Sequence, residues 1–156
     1  MELRSLSFEH SGAIPARHTC DGDNTSPPLE WAKVPAATRS LALIVDDPDA
    51  PDPAAPKRVW VHWLLYNIPP DLPGLGEGAA HSPVPAGASE GLNDGNAPGY
   101  QGPCPPIGRH RYFHTLYALD AVLPFLGASA RRKDLEAAME GHVLAKAGLM
   151  GTYARP

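Results

Sequence analysis

A handful of side chains able to do chemistry sit where loops and strands could bring them together. Asp47 and Asp49 lie in Asp47-Pro48-Asp49-Ala50-Pro51, His62 in Trp60-Val61-His62-Trp63, and His110 and Tyr112 in Gly108-Arg109-His110-Arg111-Tyr112. Histidine changes charge near neutral pH and can donate to an anion's oxygens; a carboxylate bonded to its other nitrogen fixes the tautomer and favours the imidazolium. Asp beside His can therefore hold an anion that Asp alone would repel, and Tyr112 would add a hydroxyl donor. Each residue also has a plainer reading. The Asp residues can simply initiate turns, His62 can be a satisfied core residue, Tyr112 an ordinary strand aromatic, Arg111 an ion-pair partner, and Cys104 a small buried hydrophobe with an inert thiol.

Other chemistries use the same residues. A histidine could act as general base with a carboxylate orienting it, as in a small hydrolase. No Ser or Thr adjoins these blocks, however, and Cys104 between prolines lacks an activating helix terminus. His62, His110 and an Asp could ligate Zn²⁺, but His110 and His114, four apart on a strand, would be separated by roughly 13 Å, too far for one ion. No metal and no cofactor are expected. A protein-inhibiting module acting through its surface is the remaining alternative.

The elements that would carry these residues read as follows. Ser40 to Val45 is a continuous apolar run, expected as a central strand buried on both faces. The proline-rich stretch from Asp47 to Pro56 is expected to be a rigid loop after it. Val59 to Ile68, rich in β-branched and aromatic residues, predicts a strand. Period two would put Trp60, His62, Leu64 and Tyr66 on one face, with Val61, Trp63 and Leu65 on the other. His110 to Asp120 predicts a third strand, with His110, Tyr112 and His114 on one face. Leu3 to Phe8 reads as a short strand, Leu149 to Tyr153 as a closing one, and the long Gly/Pro-rich stretch Leu72 to Pro106 holds only a brief strand at Gly91-Leu92-Asn93. Leu135, Met139 and Val143 recur at helical spacing and predict a helix over 130–147, with Ser129 as N-cap, Asp134 and Lys146 suited to its dipole, and a break possible at Gly141. The expected fold is mainly β, an antiparallel sandwich with a short C-terminal helix, as one domain spanning 1–156.

Bulk properties exclude several functions. The formal charge of -4 and the lack of any basic cluster longer than Arg131-Arg132-Lys133 argue against nucleic-acid binding. No stretch approaches the roughly 20 apolar residues of a transmembrane helix, and Met1 to Cys20 has no secretory-signal pattern. A soluble, cytoplasmic protein is expected; Cys20 and Cys104 permit one disulfide, which that compartment makes the less favoured reading against free thiols.

Taken with Asn67-Ile68-Pro69, Gly91-Leu92-Asn93-Asp94, Thr19-Cys20-Asp21-Gly22 and Gly102-Pro103-Cys104-Pro105-Pro106, the blocks above resemble the phosphatidylethanolamine-binding protein family, in its bacterial Raf kinase inhibitor-like branch. The resemblance covers nearly the whole chain. It implies two antiparallel sheets with a small anion-accepting cavity at one end, often in a homodimer. Asp47, Asp49, His62 and His110 would line that cavity, Tyr112 would donate its hydroxyl, and Pro51, Pro105 and Pro106 would shape the wall. Cys104 stands where eukaryotic relatives tend to have glycine, which bears on the width of the mouth. The resemblance further implies a cis peptide before Pro51. The implied ligand is a phosphoryl-bearing small molecule or phospholipid headgroup such as phosphoethanolamine. The eukaryotic C-terminal extension has no counterpart here, so kinase inhibition is not carried over.

Overall fold

A computed structural model describes residues 1–81 and 84–156. Two antiparallel sheets form it. The larger has the order β6-β4-β3-β7-β8, and the smaller the order β1-β2-β5. The strands are β1 Glu2–Arg4, β2 Leu29–Ala32, β3 Ser40–Ala50, β4 Arg58–Ile68, β5 Gly74–Leu75, β6 Ser89–Glu90, β7 His110–Leu119 and β8 Val143–Tyr153, and the one α-helix among the described residues is α1 Arg132–Met139.

The apolar run in β3 follows from its central place. Leu41, Leu43 and Val45 pack with Leu29, Trp31 and Leu75 of the small sheet, while Ala42 and Ile44 pack with Leu135 and Met139 of α1. Alternate residues thus feed two cores, and the strand needs no polar face.

Four expectations are corrected. The strand does not end before Asp47: β3 continues through Pro48 to Ala50, because register shifts between Val45 and Asp46 and between Asp47 and Ala50 place the proline where the ladder is already interrupted. The faces of β4 also differ. Val45 pairs with Trp63 and Asp46 with Val61, so His62 is an extra residue, a bulge that reverses the alternation. His62 therefore lies on the side of Trp63 and Leu65, whereas Leu64 and Tyr66 join Val61 against the helix.

The helix stops at Met139. Gly141 adopts a φ of 81°, a left-handed conformation that glycine enters without strain. The chain turns there, and Val143 pairs with Leu119 to start β8 well before Leu149. Ser129 is not the cap; the Asp134 carboxylate accepts from the Arg131 N–H at 2.8 Å, as the acidic member of a capping box does. Lys146 accordingly stands on β8, opposite Tyr117.

Cys20 and Cys104 are bonded rather than free, with Cα atoms 5.4 Å apart, and Cys104 is exposed rather than buried. The compartment argument concerns where such bonds persist and not whether the fold brings two cysteines together. Here Gly102 lets one loop lie against the other: a side chain there would collide with the His18 carbonyl and with Asn24. The Cys20 N–H then donates to the Pro103 carbonyl at 3.1 Å.

Smaller differences concern short elements. The N-terminal strand is only Glu2–Arg4, and the strand expected at Gly91–Asn93 is Ser89–Glu90, paired with Leu65 and Tyr66. Asn93 instead organises a turn, accepting from the N–H groups of Gly95 and Ala97. The peptide before Pro51 is cis, as the resemblance implies. Among the described residues no helix is long and apolar enough to cross a membrane.

Candidate functional site

The second half of β3, the bulge of β4 and the first residues of β7 meet a proline-stiffened loop, 101–106, around a cavity of about 200 Å³. Asp47, Pro51, His62, Cys104, Pro105, His110 and Tyr112 all line it, as do Pro106 and Gln101. Asp49 is absent from the lining. Its carboxylate accepts from the Arg111 backbone N–H at 2.9 Å, from Nε at 3.0 Å and from Nη2 at 2.8 Å. The Arg111 guanidinium and backbone N–H hold this carboxyl below its ordinary range, against the opposing effect of burial. Asp49 thus clamps β3 to β7 at the residue between His110 and Tyr112.

Asp47 is buried. Its Oδ1 accepts from the Asp49 N–H at 2.7 Å, and its Oδ2 lies 2.6 Å from His110 Nδ1. The other ring nitrogen of His110 is 2.9 Å from the Ile107 carbonyl, which can only accept, so Nε2 carries a proton. A second proton must lie between Nδ1 and Oδ2, since a lone pair facing a carboxylate at that distance would be repelled. Asp47 and His110 therefore form a net-neutral pair, with neither nitrogen of His110 left for a ligand.

His62 is arranged differently. Its Nδ1 is 2.5 Å from the Gln101 carbonyl. That acceptor fixes the proton on Nδ1 and leaves Nε2 without a hydrogen-bond partner among the described residues. Burial pushes the pKa of His62 below the usual imidazole value, opposed in part by the Gln101 bond and by the charges of Asp47 and Asp94. At neutral pH the ring is uncharged, and Nε2 is an acceptor.

Tyr112 presents its ring edge to His62, with centroids 5.2 Å apart, and lies nearly parallel to His110 at 6.3 Å. Both are ordinary arrangements for neighbouring aromatic rings. Burial, then the nearby Asp47 carboxylate, raises the pKa of Tyr112, so the hydroxyl keeps its proton. Trp60 Nε1 donates to Gln101 Oε1 at 3.0 Å, and the Asp94 carboxylate accepts from the Val61 N–H at 2.7 Å, securing the bulge that sets His62. Gln101 is not among the residues that sequence reasoning singles out, and Asp94 enters there only as the last residue of the Gly91-Leu92-Asn93-Asp94 block, with no site role. Gln101 adjoins the Gly-Pro-Cys-Pro-Pro block, but the group that matters is its backbone carbonyl, which has no side-chain signature.

Among the described residues no group of three or more His, Cys, Asp and Glu side chains gathers as a metal site would require. No Ser or Thr among them lines the cavity.

Comparison with known proteins gives consistent matches. The family model described as phosphatidylethanolamine-binding protein matches residues 4–154. A UPF0098 protein of Methanothermobacter thermautotrophicus is 52% identical over 156 residues, covering 99% of each chain. Among solved structures, a homologue of phosphatidylethanolamine-binding protein from Chlamydia trachomatis superposes with a TM-score of 0.90 at 40% identity, covering 99% of this chain and 97% of that one. E. coli YbcL, described as a member of the mammalian family of these proteins, superposes with a TM-score of 0.89 at 29% identity, covering 99% and 98%.

Proposed function

The chain belongs to the phosphatidylethanolamine-binding protein family, in its YbcL-type bacterial branch, and from that membership and the cavity we propose that it is a binding protein for a small phosphoryl-bearing or similar anionic group. Membership supports ligand binding in general. The observation that carries the finer reading is the pair of polar groups in the cavity without a hydrogen-bond partner among the described residues, the Tyr112 hydroxyl and His62 Nε2, beside a neutral Asp47–His110 pair. The space is about 200 Å³. That is smaller than the roughly 300 to 1,000 Å³ of drug-sized sites, which suits a headgroup rather than a whole lipid.

In this reading Tyr112 and His62 touch the ligand, His110 and Asp47 form a polar wall, and Asp49 acts through Arg111 as a positioning residue. The proline residues Pro51, Pro105 and Pro106, with Cys104, limit its size. The hydrolase alternative is weaker, since the Asp–His pair has no nitrogen free to act as base and no Ser or Thr among the described residues lines the cavity beside His62. The homodimer implied by the family is part of the proposal, and sedimentation at high micromolar concentration should give twice the 16.6 kDa chain mass. The expected cytoplasmic location stands against the Cys20–Cys104 bond, because disulfides persist mainly in oxidising compartments; thiol quantification on protein from its own cells decides between them.

Calorimetric titration with phosphoethanolamine and inorganic phosphate tests the ligand. His62→Ala and Tyr112→Phe should each lower affinity by roughly tenfold or more, the scale of a hydrogen bond to a charged group. Unchanged affinity in both folded variants would remove this cavity as the binding site.

A further inference from the structure

Apart from the Tyr112 hydroxyl and the Gln101 amide, the lining side chains turn lone pairs, engaged groups or apolar surface to the cavity, which is unusual where an anion is to be held. Both nitrogens of His110 are engaged inside the protein. The Asp47 carboxylate and His62 Nε2 offer lone pairs, while Tyr112 supplies the only side-chain hydroxyl in the lining among the described residues. A fully ionised oxyanion placed here would set its oxygen against the lone pair of Nε2. An oxyanion that still carries a proton would not.

We propose that this cavity selects anions bearing an exchangeable proton, namely phosphomonoesters and inorganic phosphate as monoanions, over fully ionised anions such as sulfate and phosphodiesters. This inference rests on the anion-binding reading of the same cavity. The P–OH donates to His62 Nε2, the Tyr112 hydroxyl donates to a second phosphate oxygen, and no covalent bond is made or broken. The proton is shared along one hydrogen bond, so the complex holds the same number of protons whether it rests on oxygen or on nitrogen.

The charged and titratable groups around His62 come from three sides. Asp47 of β3 and Asp94 of the loop after β6 favour a proton on the ring, whereas His110 of β7 opposes one. Tyr112 and His114 of the same strand are also near. Burial outweighs the two carboxylates. At neutral pH the ring thus enters the complex uncharged, and the ligand must bring the proton or draw one from solvent.

Proton counting separates the ligand classes. A phosphomonoester has a second pKa of about 6. At about pH 6, about half of it arrives with its proton, and binding takes up about half a proton; at about pH 8 it arrives as a dianion, and one proton is taken up per site. Its affinity should therefore fall towards tenfold per pH unit in the alkaline range. Sulfate and phosphodiesters bring no proton at either pH.

The test is calorimetric titration of the intact protein with inorganic phosphate, phosphoethanolamine, sulfate and glycerophosphoethanolamine, at about pH 6 and about pH 8, in two buffers of different ionisation enthalpy. At the lower pH the first two should bind at least about tenfold more tightly than the last two, as expected for one charge-assisted hydrogen bond gained rather than opposed. At the higher pH phosphate binding should take up close to one proton. His62→Gln, whose amide can donate as well as accept, should bring the four ligands within about threefold, while Tyr112→Phe should weaken all of them alike. Sulfate binding as well as phosphate at the lower pH, or undiminished preference in His62→Gln, would overturn the inference and leave the anion reading standing. Failure of all four anions to bind would overturn both.

Discussion

His110 and His114 lie on the same face of β7, both almost wholly buried, in surroundings that could hardly differ more. At the cavity end, Asp47 and the Ile107 carbonyl each meet a ring nitrogen of His110. Deeper in the sandwich, His114 packs beside Phe8 with ring centroids 5.6 Å apart, and neither of its nitrogens has a hydrogen-bond partner among the described residues. Burial pushes its pKa down to about 4, with the backbone of Tyr112 and Leu149 opposing this only in part. A strand's end, where loops converge, can supply acceptors; its middle, enclosed by two apolar layers, cannot. The same side chain is thus half of an ion pair in one place and a neutral filler in the other.

The largest expected effect breaks the first environment. Asp47→Ala leaves His110 buried without its carboxylate, and stability in urea should fall by about 3 to 5 kcal/mol, the range for halving a buried pair. A loss under about 1 kcal/mol would mean that His110 is no better integrated than His114.

The second prediction sharpens the contrast through pH. Because the folded pKa of His114 lies below the unfolded value, the unfolded chain binds more protons, and stability is lost as pH falls from about 6.5 towards 4. By about pH 5 the loss attributable to this residue should be a factor of roughly thirty in the folding equilibrium, or about 2 kcal/mol. His114→Leu should remove that part of the acid sensitivity, seen as a flatter curve of urea midpoint against pH. An unchanged slope would show that the ring finds partners in solution.

The smallest effect concerns the clamp between the two environments. Arg111 is half exposed, so Arg111→Gln should cost only about 1 kcal/mol or less in stability. Ligand affinity should fall more than that figure suggests if the clamp positions Tyr112. Equal, small changes in both would reduce Asp49 to a surface ion-pair partner.

Much of this architecture is legible from residue types alone. The runs at Ser40 to Val45 and Val59 to Ile68 carry strand signals because each strand has two apolar faces to fill. Local patterns fail where tertiary pairing decides. Val143 to Ala147 reads as helix by composition, yet β7 offers those residues a ladder, and Pro48 reads as a loop although a bulge accommodates it. The family blocks point to Asp47, His62, His110 and Tyr112, but the groups that set the two histidines' protons are the carbonyls of Gln101 and Ile107. Main-chain atoms are common to all residues, so nothing in the residue types marks them.

The proline-built wall has a consequence for spectroscopy. Pro105 and Pro106, like Pro51 across the cavity, have no amide proton, so the wall they form gives no signal in an amide correlation spectrum or in hydrogen exchange. On the side of the 101–106 loop, amide reporters of occupancy are confined to Gln101, Gly102 and Cys104. The imidazole resonances of His62 and the ring resonances of Tyr112 and Trp60 would carry the most direct record of a bound group.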